Sequence, residues 1–403
     1  MKIGVVVDNE LNNDVRVLRE IAILRELGAE IFVLCFGYGK KYKTPIDGIN
    51  ITRINVHKKV RNVLFFFLNA IPVYEWMWAS HIKKFISLNE IDILHVHDLY
   101  MAKAAHTGIK KSLKEIPIIL DLHENYAYAV TTYNWTKGFF RRLISRPYEW
   151  QKKEKEYLGY ACGIIVLSYD FRDVLLNRYP ELSEVTFTVL PNVPDLSRYK
   201  QIIRKTIKNP FSQNFPILFY YGVIAERRGV FDALTVFNDL VKENYSVNFL
   251  LIGPVDKKDK TRFLEMIHMD SLLNRIHYIP WIDSNELPAY LEIVNICLAP
   301  FHKNPQHESG VANKIYDYML GKKPVIASEC KPQQKLIERN ECGIIFKSSK
   351  EFKDAIIRLL DDSTLRARMG KNGYEAVIKE YNTGMVKENL ILLYKTINCN
   401  PEK

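Results

Sequence analysis

The segment ESGVANKIYDYMLGKKPVIAS, residues 308–328, predicts a polar turn, an amphipathic helix and a buried strand in direct succession. The turn covers residues 308–310, the helix covers residues 314–320 and ends at Gly321, and the apolar strand covers residues 324–327. The entrance to such a helix presents unpaired N–H groups and the positive end of the helix dipole, which together suit an anion such as a diphosphate. The carboxylate of Asp317, one turn further on, is expected to accept hydrogen bonds from sugar hydroxyls.

The same segment resembles the donor-binding region of family-4 retaining glycosyltransferases, which have the GT-B fold. In that family an acidic residue precedes a pair such as Tyr318-Met319, and a strand that begins Lys-Pro-Val follows. Two glutamates separated by seven residues usually mark the site. The resemblance implies that Asp317, in the second position, binds the ribose of the nucleotide. The first position falls on Ser309 with Glu308 beside it, so Glu308 or Ser309 is expected to face the donor sugar.

Apolar strands alternate with helical segments along the chain, which predicts an α/β fold with parallel sheets and helices on both faces. The predicted strands cover residues 2–7, 31–36, 93–97, 118–121 and 163–167 in the first half, and 216–221, 247–252, 276–279, 296–300, 324–327 and 343–346 in the second. We expect two doubly wound, Rossmann-like domains, residues 1–195 and 196–383, with the ligand site in a cleft between them. The resemblance implies GT-B architecture, in which a last helix at about residues 384–403 packs back on the first domain.

The composition limits the class of protein and its partners. The 403 residues suit about two domains, and 47% apolar with 26% charged residues is typical of a globular protein. The formal charge of +11 favours anionic partners such as a nucleotide diphosphate, a lipid phosphate or an anionic membrane, whereas no motif indicates nucleic acid. Six cysteines without a Cys-x-x-Cys pair, and an N-terminus that predicts a strand and no signal peptide, indicate a cytoplasmic protein.

A second group of donor-site residues follows the predicted strand 216–221. Gly222 ends this strand, and Arg227 and Arg228 precede Gly229 at the start of a helix. Guanidinium groups hold a diphosphate through paired hydrogen bonds and offset the charge of a departing nucleotide, although a solvated pair of arginines is the alternative. The resemblance supports Arg228, because the family places a basic residue before a glycine at this point. The expected diphosphate site also includes Ser309, Gly310, Val311 and Lys314.

The sequence DLHENY, residues 121–126, follows a predicted strand of the first half. It resembles a D-x-H-E-x-Y motif of bacterial family-4 enzymes. A histidine at the carboxyl end of a strand faces the expected cleft, so His123 is predicted to contact the donor sugar or to support charge near its anomeric carbon. Glu124 is expected to orient His123 or to contact the acceptor. A structural helix cap is the alternative for this motif.

His95, His97 and Asp98 end the preceding strand and invite a metal-site interpretation. However, His95 and His97 share one face of a strand, Asp98 points elsewhere, and the sequence indicates no third ligand, so no metal site is predicted. The pattern resembles the family's strand edge beside the acceptor pocket, which places His97 and Asp98 there, with a structural role as the alternative. Arg16, in a segment that resembles the family's D-x-R-V pattern, is expected to meet an acceptor phosphate or to lie on a helix surface.

Two segments combine apolar and basic residues. Residues 63–80 form the most apolar run, but Asn69, Pro72 and Glu75 interrupt it, which argues against a membrane-spanning helix. Basic residues flank this run, and residues 134–155 interleave Lys and Arg with aromatic and aliphatic side chains. Each segment predicts peripheral contact with an anionic membrane or, alternatively, an ordinary helical structure. That alternative is a partly buried helix pair for residues 63–80 and a solvated helix face for residues 134–155.

Together these features predict a GT-B glycosyltransferase that moves a sugar from a nucleotide-diphosphate donor to a hydroxyl of a glycan or lipid-linked acceptor in surface polysaccharide assembly. It is expected in the cytoplasm or at the inner face of the membrane. The resemblance implies retention of the anomeric configuration without a protein nucleophile, the leaving diphosphate helping to deprotonate the acceptor. No metal or other cofactor is expected, because arginine and the helix dipole carry the charge. A nucleotide-sugar epimerase on the same fold and a catalytically silent binding subunit are the alternatives.

Overall fold

The computed structural model describes residues 1–39, 48–201 and 205–398. The chain divides into an N-terminal unit, Met1–Pro191 with Val386–Lys403, and a C-terminal unit, Asn192–Met385. Each unit contains one parallel sheet connected through helices. The predicted α/β fold with two Rossmann-like units is therefore confirmed.

The N-terminal unit contains a seven-stranded parallel sheet in the order β3-β2-β1-β4-β5-β6-β7. Its strands are β1 (Lys2–Val7), β2 (Glu30–Gly37), β3 (Asn50–Asn55), β4 (Ile93–His97), β5 (Ile118–Asp121), β6 (Gly163–Val166) and β7 (Thr186–Val189). Its helices are α1 (Val15–Glu26), α2 (Lys58–Phe66), α3 (Val73–Asn89), α4 (Ala102–Ser112), α5 (Tyr126–Thr132), α6 (Phe139–Ser145), α7 (Glu149–Leu158) and α8 (Tyr169–Arg178).

The C-terminal unit contains a six-stranded parallel sheet in the order β10-β9-β8-β11-β12-β13. Its strands are β8 (Ile217–Tyr221), β9 (Asn248–Ile252), β10 (Ile276–Ile279), β11 (Ile296–Ala299), β12 (Val325–Ser328) and β13 (Gly343–Phe346). The helices from here to the end of the chain are α9 (Leu196–Gln201), α10 (Val230–Lys242), α11 (Lys260–Ile267), α12 (Leu287–Ile293), α13 (Asn313–Leu320), α14 (Lys331–Arg339), α15 (Ser349–Asp361), α16 (Ser363–Lys379) and α17 (Thr383–Asn398).

The strand order reverses at the centre of both sheets. β1 lies between β2 and β4 in the N-terminal unit, with Ile3 opposite both Ile31 and Ile93, and β8 lies between β9 and β11 in the C-terminal unit. Ligands of doubly wound sheets bind beyond the carboxyl ends of the strands at such a reversal. In each unit the residues that follow these central strands are therefore the expected place for a site.

Helix α17 belongs to the N-terminal unit from Val386 onward. Tyr394 is fully buried, and its hydroxyl lies 2.7 Å from His95 Nδ1. Asn389 Nδ2 donates a hydrogen bond to Val189 O at 3.0 Å. The last helix is thus fixed to the N-terminal sheet both at its centre and at its β7 edge.

Helix α13 is the helix of segment 308–328. Its apolar side chains are buried, whereas Lys314 and Asp317 lie on its partly exposed side. Gly321 follows its last residue and donates its N–H to Asp317 O at 3.0 Å. The two side chains expected to bind the ligand are therefore on the partly exposed face of the helix.

Two strands, β3 and β7, are absent from the predicted set. Both are edge strands of the N-terminal sheet, with the sequences NITRIN and TFTV. An edge strand is less covered than a central one and carries polar residues at alternate positions. The continuous apolar run that predicts the central strands is therefore missing from them.

Residues 63–80 span the end of α2 and the first half of α3. Helix α3 buries Tyr74, Trp78 and Ile82, whereas α2 has no fully buried residue. The expected burial of a helix pair thus holds for α3 and leaves α2 largely at the surface. Among the described residues, no helix is both long and apolar enough to cross a membrane.

Candidate functional site

The carboxyl end of β8 carries Gly222, which opens space for a lysine. Its φ angle is 127°, and its N–H donates to Ile252 O at 2.8 Å. A Cβ atom on this residue would lie only 3.0 Å from Lys314 Nζ. Glycine at this position therefore allows the lysine of α13 to approach the end of the central strand.

Lys314 and Arg228 bring two positive charges to the same aromatic side chain. Lys314 Nζ lies 3.7 Å from the ring centroid of Tyr220 and 5.1 Å from that of Phe301, and the Arg228 guanidinium carbon also lies 5.1 Å from the Phe301 centroid. Burial and the Arg228 charge hold the pKa of Lys314 well below its ordinary value, against the opposing charge of Asp317. A bound anion would relieve this repulsion between like charges.

Asp317 lies one turn after Lys314 on α13. Burial raises the pKa of Asp317 to about 7, and the nearby Lys314 limits the rise. Hydrogen-bond donors such as sugar hydroxyls stabilise the ionised form of a carboxyl group. A donor ligand at this position would therefore favour the carboxylate that burial alone disfavours.

Ser309, one of the residues expected to bind the donor, makes hydrogen bonds within the loop before α13. Ser309 is buried, its N–H donates to Gln306 O at 3.2 Å, and its hydroxyl donates to the same oxygen at 2.7 Å. Glu308 has a side chain that is 28% exposed, with Oε1 at 4.0 Å from Lys303 Nζ. Of the two residues expected to face the donor sugar, Glu308 is the accessible one. Gly310 and Val311 follow in the loop, and Ala312 separates them from the first residue of α13, Asn313.

Arg227 is a third cation of this region, besides Arg228 and Lys314, and lies in the turn Glu226–Arg228. Its Nη1 lies 3.6 Å from Asp256 Oδ2, and its side chain remains 32% exposed. His302 donates its backbone N–H to Arg227 O at 3.2 Å, which ties this turn to the segment after β11. The two arginines are thus held beside the ends of both central strands of the sheet.

Gly229 fixes the position of this turn and offers a stability test. Its φ angle is 68°, and a Cβ atom would lie 1.6 Å from Pro300 O. Gly229→Ala is expected to lower the free energy of unfolding by more than about 2 kcal/mol, because the backbone must move and a left-handed conformation is costly for alanine. Chemical denaturation measures the loss. The control is Gly28→Ala, with φ of 80° and no atom within 4 Å of the added Cβ; an equal loss in both variants would contradict the clash.

A cavity of about 280 Å³ lies in the N-terminal unit, beyond the carboxyl ends of β1 and β4. It is lined by Val7, Asp8, Asn9, Asp14, Tyr38, Lys58, Arg61, Asn62, Asp98, Tyr100 and His123. Carboxylates accept hydrogen bonds, whereas lysine, arginine and protonated histidine donate them. The lining therefore suits a ligand rich in hydroxyl groups, which both donate and accept.

His123 lines this cavity and is held by two carboxyl groups. Its Nε2 lies 2.9 Å from both Asp121 Oδ2 and His97 Nδ1, and its Nδ1 lies 3.9 Å from Asp98 Oδ1. Burial alone would lower the pKa of His123, but Asp98 and Asp121 raise it to about 9. Burial lowers the pKa of His97. At neutral pH a charged His123 thus donates from Nε2 to Asp121, and His97 Nδ1 lies 3.1 Å from the same Asp121 oxygen.

Asp8 and Arg61 form a second part of the cavity. Arg61 Nη2 donates to Asp8 Oδ2 at 2.7 Å and to Asp8 O at 3.2 Å, and the Tyr74 hydroxyl donates to the other carboxylate oxygen. Burial raises the pKa of Asp8 to about 6, and Arg61 limits the rise. No local sequence pattern links Asp8 to Arg61, which lies 53 residues further along the chain.

A buried cluster joins Glu20, His95, His97 and Asp121, whose potential ligand atoms all lie within 4.8 Å of one another. The sequence indicated no third ligand beside His95 and His97, whereas the fold brings two carboxylates, from β5 and α1, next to them. Arg16 balances them: it donates to both Asp121 oxygens, at 2.6 and 2.8 Å, and its Nε lies 3.1 Å from Glu20 Oε1. This guanidinium places a positive charge beside both carboxylates of the cluster.

Arg16 differs from its expected role. Its side chain is buried, and its Nη1 donates to Leu190 O at 3.0 Å in addition to the bonds with Asp121. All of these contacts lie inside the N-terminal unit. The expected contact with an acceptor phosphate is therefore corrected to a structural role beneath the cavity.

Two family models cover most of the chain. The model of Glycosyltransferase Family 4 matches residues 15–198, and that of Glycosyl transferases group 1 matches residues 202–376. The chain belongs to the family-4, group 1 glycosyltransferases.

This glycosyltransferase is similar to named relatives over different lengths. It is 25% identical to alpha-D-kanosaminyltransferase of Streptomyces kanamyceticus over 372 residues, 88% of this chain and 92% of the relative. It is 22% identical to the capsular polysaccharide biosynthesis glycosyltransferase CapM of Staphylococcus aureus over 190 residues, 46% and 47% of the two chains. The structure of Anabaena HepE in complex with UDP aligns with a TM-score of 0.71 at 13% identity, over 98% of this chain and 99% of that one. This likeness shows the GT-B fold.

The predicted residues of this glycosyltransferase fall into two groups. Gly222, Arg228, Lys314 and Asp317 come together in the C-terminal unit. In the N-terminal unit, Asp98 and His123 meet at the cavity, while His97 is buried against His123.

Glu124 is the predicted residue with a different contact. Its carboxylate accepts a hydrogen bond from the Tyr133 hydroxyl, and the carboxylate that contacts His123 Nε2 is Asp121. Asp121 was available as the first residue of the DLHENY motif. Asp121 is the last residue of β5, and the short loop after this strand brings His123 into contact with it.

Proposed function

We propose that this glycosyltransferase moves a sugar from a nucleotide-diphosphate donor to a hydroxyl of a glycan or lipid-linked acceptor, with retention, in surface polysaccharide assembly. The observation that carries the proposal is the approach of Arg228 and Lys314 to one aromatic ring, with Asp317 on the next turn of α13. Two crowded cations suit a diphosphate, and a carboxyl group close by suits the hydroxyls of a ribose.

The C-terminal unit is proposed to bind the donor. The diphosphate would lie at the start of α13, where the N–H groups of Gly310 and Val311 and the helix dipole add to the two cations. Asp317 would take the ribose, and Glu308 the transferred sugar. The HepE structure that shares this fold contains UDP, which supports a nucleoside diphosphate as the common part of the donor.

The N-terminal cavity is proposed to bind the acceptor sugar. The carboxyl groups of Asp8, Asp14 and Asp98 accept hydrogen bonds from hydroxyls, and the protonated His123 donates one to a substrate oxygen. His123 is accordingly the proposed catalytic residue of this unit. The likeness to CapM supports a polysaccharide as the product to which the acceptor belongs.

In the proposed reaction the acceptor oxygen bonds to the anomeric carbon while the bond from that carbon to the diphosphate oxygen breaks. The bonding electrons leave with the diphosphate, and the acceptor proton passes to a phosphate oxygen. Arg228 and Lys314 stabilise the charge that develops on the leaving group, and binding supplies the orientation. Because side chains and the helix dipole carry this charge, we propose no metal or other cofactor.

The ionisation of Asp317 provides the test of donor binding. Its pKa is raised from 3.8 to about 7, so below pH 7 much of the free protein carries a neutral side chain that must lose a proton to accept two ribose hydrogen bonds. Affinity for a nucleotide-diphosphate sugar is expected to rise with pH up to about 7, by at most about tenfold per unit, and then to level off. Titration calorimetry across this range, in buffers of different ionisation enthalpy, measures both affinity and proton release.

Asp317→Asn is the control variant, because its amide has the same shape and does not titrate. It is expected to bind more weakly and without the pH dependence. Equal affinity of both proteins at every pH would contradict the role of Asp317. Release of nucleoside diphosphate in the presence of acceptor separates an enzyme from a silent binding subunit, which would bind the donor without turnover. The anomeric configuration of the product, read by NMR, tests retention.

A further inference from the structure

The N-terminal unit exposes apolar and basic side chains on α2, α3 and α6, beside the proposed acceptor cavity. In α6, Phe139, Phe140 and Leu143 are 79%, 76% and 63% exposed. Around α2 and the start of α3, large apolar side chains are also exposed: Val60, Val63, Ile71, Val73 and Trp76. We call the surface formed by residues 58–76 and 137–146 the α2–α6 face. Exposed apolar groups in this number mark an interaction site more often than a plain solvated surface.

The two parts of the α2–α6 face are adjacent. The ring of Trp135, just before α6, lies 5.6 Å from that of Phe65 and 6.3 Å from that of Phe66, measured between centroids. Asn69 Nδ2, between α2 and α3, donates to Ser145 O at the end of α6 at 2.8 Å. The α2–α3 segment and α6, which carry the exposed apolar side chains, are therefore adjacent in the unit.

The charge of this face has one sign over most of its length. Residues 58–76 contain three basic residues and one acidic residue, Glu75, and residues 137–146 contain four basic residues and no Asp or Glu. The basic residues are Lys58, Lys59, Arg61, Lys137, Arg141, Arg142 and Arg146. Arg61 forms an ion pair with Asp8, whereas the other six basic side chains are exposed. Basic side chains around exposed aliphatic and aromatic groups match the anionic headgroups and the hydrocarbon of a bilayer surface.

We propose that the α2–α6 face docks this protein on an anionic lipid bilayer. Phe139, Phe140 and Leu143 would enter the headgroup region, while Arg141 and Arg142 contact lipid phosphates. A second copy of the chain is a poor occupant, because a two-fold contact would oppose two basic surfaces. Nucleic acid would use the arginines and the aromatic rings, but it gives no partner for the aliphatic Val60, Val63 and Leu143.

Helix α2 connects the docking face with the cavity of the same unit. Lys58, Arg61 and Asn62 line the cavity, whereas Val60 and Val63 are exposed on other sides of the helix. A helix with positions i, i+3 and i+4 on one side places intervening residues elsewhere on its surface. Docking through this face would therefore bring the cavity to the bilayer, where a lipid-linked acceptor is found. The docking itself does not depend on the proposed transfer reaction.

The experiment measures binding of the full chain to vesicles of phosphatidylcholine alone and to vesicles that also contain phosphatidylglycerol, without donor or acceptor. The proposal predicts binding to the anionic vesicles that weakens as salt is added. Arg141→Gln with Arg142→Gln is expected to weaken it about 25-fold, since each basic side chain near such a surface contributes about fivefold. Phe139→Ser with Phe140→Ser is expected to weaken it more than about tenfold, through loss of buried apolar area.

Matched variants distinguish a specific effect of the α2–α6 face on vesicle binding from a general effect of charge or of exposed apolar area. Lys331→Gln with Lys350→Gln removes the same charge from exposed positions of the C-terminal unit, and Leu88→Ser removes an exposed apolar side chain near the far end of α3. Both controls are expected to bind anionic vesicles like the wild type, and all variants should keep the wild-type thermal unfolding temperature.

Several results would overturn the proposal. They are equal binding to neutral and to anionic vesicles, no binding to either kind of vesicle, and an equal loss of vesicle affinity in the variants of the α2–α6 face and in their controls. A wild-type dimer that Phe139→Ser with Phe140→Ser converts to a monomer in sedimentation would assign the face to self-association. Displacement from vesicles by single-stranded RNA at low concentration would assign it to nucleic acid. Loss of sugar transfer with vesicle binding intact would count against the transferase proposal alone.

Discussion

Replacing Arg228 with glutamine is expected to lower the rate of sugar transfer by about two to three orders of magnitude. The guanidinium shares the Phe301 ring with Lys314, so it stands where the proposed diphosphate gains charge as the sugar departs. Glutamine keeps hydrogen-bonding capacity but removes the charge. The pKa of Lys314 should rise in the variant, because Arg228 is one of the groups that lower it.

The measurement is the rate of nucleoside diphosphate release at saturating acceptor, with kcat and KM determined separately. If the main role is stabilisation of the leaving group, kcat falls more than the donor affinity. Arg358→Gln is the matched control, because Arg358 is exposed on α15 of the same unit and lies outside the proposed site. Equal rates for the two variants would remove Arg228 from the mechanism.

The fold was predictable because its central strands lie in covered parallel sheets. Such strands are apolar at nearly every position, as in VIAS of β12 and NFLLI of β9, and they alternate with helices of clear 3.6-residue period. β3 and β7 were missed because a sheet edge tolerates polar residues such as Arg53 and Thr186. The prediction therefore failed where burial is incomplete and local sequence no longer reports it.

The grouping of the expected donor-side residues in one unit was predictable for a related reason. Lys314 and Asp317 are one turn apart on a single helix, and Arg228 follows the central strand of the same sheet. The N-terminal site depends on contacts distant in sequence: Arg16 pairs with Asp121 across 105 residues, and His95 meets Tyr394 across 299. No local pattern encodes such pairs, so Asp121 was overlooked and Arg16 was assigned to the wrong task.

Replacing Asp121 with asparagine is expected to lower the free energy of unfolding of the N-terminal unit by about 3–5 kcal/mol. Asp121 is fully buried and receives hydrogen bonds from Arg16 and His123. Burial alone would raise the pKa of Asp121, but Arg16 and then His123 hold it well below its ordinary value. The neutral amide would leave the buried Arg16 with Glu20 as its remaining anionic partner.

The pH dependence of this loss identifies its second component, His123. The pKa of His123 is raised from 6.5 to about 9, so its charged form contributes stability that is complete below pH 6.5 and disappears as the pH rises to about 9. In Asp121→Asn that contribution is reduced, because Asp98 is the main remaining charge that raises this pKa. The stability difference between the wild type and the variant should therefore shrink from pH 6.5 to pH 9, yet stay large because Arg16 remains charged. The control is Asp173→Asn, at an exposed site on α8, which should change the free energy of unfolding by less than about 0.5 kcal/mol.

A stability difference between the wild type and Asp121→Asn that is independent of pH would mean that Asp121 stabilises the fold through Arg16 alone. Asp98 would then be the carboxylate that raises the pKa of His123.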